Sequence, residues 1–136
     1  MNNIILYLLT LLYFNTNEEQ CVNWNEARNF YFYNLPINVT TERIQWADID
    51  KLKPIKINNA ARILGSSECK KQKIAIWKDE YLLVVEFNDG KKRKFKVSGY
   101  GGFLYDPGRK FYFVQEKDKD EWQSVIQKLR AQTNRN

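Results

Sequence analysis

The sequence predicts an α+β fold, a curled antiparallel sheet of about five to seven strands closed by a C-terminal amphipathic helix. Three observations carry that expectation. Strand-like runs follow one another at short spacing from Lys73 onward, Asn88-Asp89-Gly90 stands between two of them as a hairpin loop, and Asp118 to Leu129 places apolar residues at helical spacing.

The chain opens on residues 4–14, IILYLLTLLYF, followed by the polar stretch Asn15 to Gln20. An apolar run of this length falls well short of the roughly 20 residues a bilayer core requires and suits the hydrophobic region of a secretory signal. Residues 1–20 are therefore expected to be a signal peptide, and residues 21–136 a single globular domain with a secreted or periplasmic destination. The first three residues carry no Lys or Arg, and no small-x-small cleavage site precedes Cys21. The alternative is that residues 4–14 form a buried helix or strand of the domain itself.

Export changes two readings. Glu18 and Glu19 leave with the signal, so the net charge rises from +6 to +8 as two of the 16 acidic residues are lost. In an oxidising compartment Cys21 and Cys69 are expected to form a disulfide. Closing a loop of about 48 residues, it would stabilise the fold by roughly 4 kcal/mol in the chain-entropy model. In a cytosolic protein the same two residues would be buried thiols.

Asn29 to Leu35, NFYFYNL, reads as a strand that Pro36 ends. Asp48 to Leu52 reads as a helical turn, and Asn59 as the cap of a short helix, AARIL, that stops at Gly65. Strands are then expected over 73–77, 81–87, 92–98, 103–105 and 110–116. A three-residue loop with Gly90 at a positive φ pairs Glu86 with Lys92, Val84 with Lys94 and Leu82 with Lys96. Leu83, Val85, Arg93, Phe95 and Val97 then share the inward face. In the closing helix Asp118 is the expected N-cap and Glu121 its capping-box partner. Trp122, Val125, Ile126 and Leu129 form the apolar face, while Lys128 and Arg130 suit the negative end of the dipole.

The residue inventory narrows the chemistry. There is no histidine, so triads and metal sites built on imidazole are excluded within one chain. Two cysteines do not make a structural zinc site, and no metal or cofactor is expected. Gly99-Tyr100-Gly101-Gly102 lacks the last glycine of a dinucleotide fingerprint and the Gly-Lys-Ser/Thr ending of a Walker loop, and a strand follows it. It reads as a strand connection, and Asp106-Pro107-Gly108-Arg109 as a turn. The four tryptophans and eight tyrosines would suit a sugar-stacking platform, but Trp122 belongs to the helix core face and Trp77 ends an apolar strand. Asn38-Val39-Thr40 fits the N-glycosylation pattern. Glu42, Asp48, Asp50, Glu80 and Glu86 are the carboxylates from which an acid-base pair would have to come.

The basic run supplies the site expectation. Alternation puts Lys92, Lys94 and Lys96 on one strand face, where three ammonium groups attract an anionic surface. The competing reading is a solvated lysine face that discourages edge pairing. No nucleic-acid module signature accompanies it, so nucleic acid is not expected as a partner.

The stretch FYFVQEKDKDEWQSVIQKL at 111–129, a last strand running into a capped helix that carries Trp122, resembles the end of a pleckstrin-homology domain, and the resemblance extends over residues 73–131. It implies a curled antiparallel sheet with the helix at one corner. It also implies a binding role, since that family often holds phosphoinositides through basic residues and also serves as a protein-binding module. The expected function is thus that of a small exported non-enzymatic binding domain. It would dock on or inhibit an acidic protein partner, as an immunity-type inhibitor does. The alternatives are a pleckstrin-like module on an anionic membrane surface and a carboxylate-based enzyme.

Overall fold

The computed structural model describes residues 22–71, 81–98, 103–108, 111–114 and 117–133. A 3-10 turn at Trp24–Glu26 leads into β1 (Ala27–Asn34). Two short helices follow, α1 (Trp46–Ile49) and α2 (Ala60–Gly65), and then β2 (Glu68–Lys71). The meander comprises β3 (Tyr81–Phe87), β4 (Lys92–Val97), β5 (Phe103–Asp106) and β6 (Phe111–Val114), and the chain continues into α3 (Lys119–Thr133). The fold is α+β. The sheet runs in the order β1-β3-β4-β5-β6-β2, every adjacent pair antiparallel, with β1 and β2 at its ends rather than joined into a barrel.

The hairpin forms in the expected register: Glu86 faces Lys92, Val84 faces Lys94 and Leu82 faces Lys96. Gly90 takes φ 83°, a left-handed conformation that a side chain would strain. The loop is closed by Gly90 N–H donating to the Phe87 carbonyl and by the Asp89 carboxylate accepting from Lys91 N–H, each at 2.9 Å.

Period-two alternation divides the apolar residues between two faces, and both faces are covered. Phe32, Leu83, Val85, Phe95, Val97 and Leu104 pack with Trp122, Val125, Ile126 and Leu129 of α3 and with Ala60, Ile63 and Leu64 of α2. On the opposite face Tyr33, Leu82 and Val84 pack with Ile44 and Ile49, joined by Val39 and Leu52. This explains why Tyr81 to Val85 is an unbroken apolar run with every residue buried. Fully burying each such side chain contributes about 1.5–3 kcal/mol.

Three local expectations change. Asn59 stands at the start of α2 at φ 69°, with no side-chain cap bond: it turns the chain through the left-handed region instead. Asp118 does stand at the N-cap position of α3, its carbonyl accepting from Trp122 N–H at 2.9 Å, but Glu121 directs its carboxylate to Arg62 of α2 and the Asp118 carboxylate accepts from the Ser66 hydroxyl, so the start of α3 is tied to α2. The strand β2, paired with β6 from Glu68↔Val114 to Lys71↔Phe111, was not anticipated. The expected strand over 73–77 and the glycine-rich stretch 99–102 lie outside the described residues, as do residues 1–20.

Candidate binding surface

From sequence, the face of β4 that carries Lys92, Lys94 and Lys96 is expected to be open to solvent, whether as a site for an anionic partner or as a solvated lysine face. It is instead crossed by the segment from Pro36 to Leu52, whose Ile44 and Ile49 are buried against Leu82 and Val84. This strap turns at Pro36–Val39, where Val39 N–H donates to the Pro36 carbonyl at 3.1 Å, and again at Thr40, whose carbonyl accepts from Arg43 and Ile44. α1 then carries it over the sheet.

The lysines fasten the strap. Lys96 Nζ lies 2.6 Å from Glu42 Oε1, with the Lys96 side chain only 18% exposed. Lys94 Nζ donates to the Ile44 carbonyl at 2.8 Å and sits 5.3 Å from the centroid of the Trp46 ring. Lys92 keeps 49% of its side chain in solvent and faces Glu86 at 3.9 Å. The structural reason is the second apolar layer: once the strap covers Leu82 and Val84, the alternate lysines of β4 meet its polar groups before they meet water.

The Glu42 carboxyl records this contact. Burial by itself would raise its pKa, but hydrogen bonding to Lys96, to backbone and to Thr40, together with the Lys96 charge, outweighs burial and holds it below the ordinary 4.5. Beneath the strap Tyr33 shifts the other way: burial raises its phenol above the usual value, helped by Tyr31 and Asp50.

Two more of the candidate carboxylates are engaged in ion pairs. Glu86 accepts from Asn29 at 3.1 Å as well as facing Lys92, and Asp48 pairs with Lys51 at 3.6 Å. Glu80 lies outside the described residues. An open cleft of about 300 Å³ lies between Asn34, residues 52–55, Gln132 and Thr133, and Lys53 is the ionisable residue in its lining. That lining brings no two carboxylates together.

On the inner face, Arg93 pairs with Asp106 and stacks over Phe87 and Phe95, at 6.0 and 5.3 Å from their ring centroids. Asp106 also accepts from Gly108 N–H at 3.0 Å, which fixes the expected Asp106-Pro107-Gly108 turn. Cys69 lies in β2 opposite Phe113 and packs against the larger core. Among the described residues there is no free cysteine, and Cys21, its expected partner, lies outside them. Among the same residues no helix is long and apolar enough to cross a membrane.

Two outward residues of the strap were missed by the sequence reading. Ile37 is 91% exposed at the tip of the Pro36–Val39 turn, and Trp46 is 41% exposed. Their signal lay in the spacing: with Ile44, Ile49 and Leu52 as the inward anchors, Trp46 falls between them on the outward side. Asn38, within the glycosylation pattern, is exposed in the same turn at φ 64°. Comparison with family models, with curated proteins and with solved structures finds no match.

Proposed function

We propose that the chain is an exported, non-enzymatic binding domain that docks on an acidic protein partner, with an immunity-type inhibitor as one concrete form. The observation that carries this reading is the exposed basic charge on the strap-covered face, where Lys92 keeps about half of its side chain in solvent and Arg43 stands exposed beside the points at which Lys94 and Lys96 fasten the strap. With 22 basic against 16 acidic residues, the whole molecule favours encounter with an anionic surface. The pinned lysines add rigidity, which lowers the ordering cost of association.

The finer parts of the reading belong to the same proposal. The open antiparallel meander with Trp122 of α3 against it supports a pleckstrin-like architecture, whose use here is protein binding. Export supports a Cys21–Cys69 disulfide and removal of residues 1–20.

The test begins with capture on the immobilised chain from its source cell at low and high salt. The captured protein is then purified and its association rate measured. An acidic protein whose association slows with salt and with Lys92→Gln supports the proposal. A neutral or basic partner with salt-independent kinetics contradicts it.

A further inference from the structure

Resting on the proposal of an acidic protein partner, we infer that Lys94 and Trp46 form the docking point for a carboxylate carried beside an apolar side chain. Lys92 and Lys96 each face a carboxylate, Glu86 and Glu42 respectively. Lys94 differs. Its two contacts among the described residues, the Ile44 carbonyl at 2.8 Å and the Trp46 ring at 5.3 Å, are both neutral. They fix the ammonium in place without cancelling its charge.

An ammonium has three donors, and a carbonyl occupies one of them. Lys94 is half-buried, where the effective dielectric is lower than in water, so a carboxylate arriving beside it is attracted more strongly than at an open surface. Trp46 supplies the apolar half. It belongs to neither hydrophobic cluster, and 41% of it remains exposed. Tryptophan is among the residues most enriched where truncation costs an interface most. Ile44 and Ile49, buried on either side of it, hold the position before any partner arrives.

The chemistry that fits is an acidic protein segment in which Asp or Glu stands next to Leu, Phe or another apolar residue. A lipid surface fits less well. Electrostatic membrane binding draws on clusters of several free basic residues, and here the neighbouring lysines already face internal carboxylates. A single ammonium fixed over a ring instead sets a directional contact for one carboxylate.

A random-peptide display library panned on the full chain tests the site, followed by synthesis and titration of the enriched peptides. The expected peptides pair Asp or Glu with an adjacent apolar residue. Their affinity should fall about tenfold or more in Trp46→Ala and Lys94→Gln, and survive largely in Lys94→Arg. Trp46 lies outside both clusters but sits under the Lys94 ammonium, so the unfolding midpoints of Trp46→Ala and Lys94→Gln are measured beside binding, and a peptide affinity lost in variants that remain folded at the assay temperature separates lost binding from lost folding. Acidic peptides that bind the wild type and both variants equally would overturn the docking point and leave the acidic-partner proposal standing. Enrichment of peptides without carboxylates, or none above the bare support, would overturn both. Binding to phosphatidylserine vesicles that Ile37→Ser and Trp46→Ala abolish would assign the surface to lipid and overturn the inference as well.

Discussion

Replacing Trp122 by Ala and by Phe separates two opposing effects at the centre of the fold. Trp122 is 0% exposed and packs within the cluster that joins α3 to the sheet. A buried tryptophan removes roughly 150–250 Å² from water, and truncation to Ala typically costs about 3–5 kcal/mol once the residual cavity is included. Against this, Trp122 Nε1 is buried without a hydrogen-bond partner among the described residues. An unmet donor of this kind costs about 1–3 kcal/mol. Phe keeps most of the ring packing and removes that donor, so Trp122→Phe should cost no more than about 2 kcal/mol, and Trp122→Ala at least that much more. For a domain whose total stability is about 5–15 kcal/mol, the Ala variant approaches unfolding at the low end of that range while the Phe variant does not. Urea unfolding followed by far-UV circular dichroism gives both values. A Trp122→Phe loss well above about 2 kcal/mol would mean that the indole N–H is satisfied in the native state, and equal losses in the two variants would mean that the ring packing is not what holds α3 to the sheet; either result refutes the reasoning.

The strap gives two further tests. Lys96→Gln should destabilise by about 0.5–1 kcal/mol, the Glu42 contact being partly screened by solvent. Lys92→Gln should move stability by less than about 0.5 kcal/mol, and urea midpoints of the two variants check the order. Glu42 has a depressed folded pKa, so its stabilisation is present above the ordinary 4.5 and is lost as pH falls through the lowered value. The gap between wild type and Glu42→Gln should therefore be widest near neutrality and close in acid, and a gap that widens in acid would reverse the assigned sign. If the chain is exported as proposed, intact mass of the protein recovered from the exported fraction, before and after reduction with alkylation, should reveal one disulfide, and two free thiols would refute the Cys21–Cys69 pairing.

Much of the meander was legible because its signals are local. The loop Asn88-Asp89-Gly90 sets the β3–β4 register by geometry, and the spacing of Trp122, Val125, Ile126 and Leu129 sets the buried face of α3. What failed depends on contacts far along the chain. The lysine pattern in β4 is the same whether water or a strap covers it. That choice is made by Ile44 and Ile49, some fifty residues earlier, which fill the second face against Leu82 and Val84. β2 has no alternating pattern of its own and forms because β6 supplies its hydrogen bonds. Asn59 looks like a side-chain cap because local sequence does not distinguish capping from a left-handed turn.

The central claim is that the basic outer face draws an acidic protein partner. The most direct measurement is the association rate of the purified partner with the wild type and with Lys92→Gln/Arg43→Gln across a salt series. Both substitutions remove exposed charge and spare Lys94 and Lys96, which hold the strap. The account predicts slower association, a flatter dependence on salt and an unchanged unfolding midpoint in the double variant. An association rate and salt slope equal to those of the wild type would contradict it.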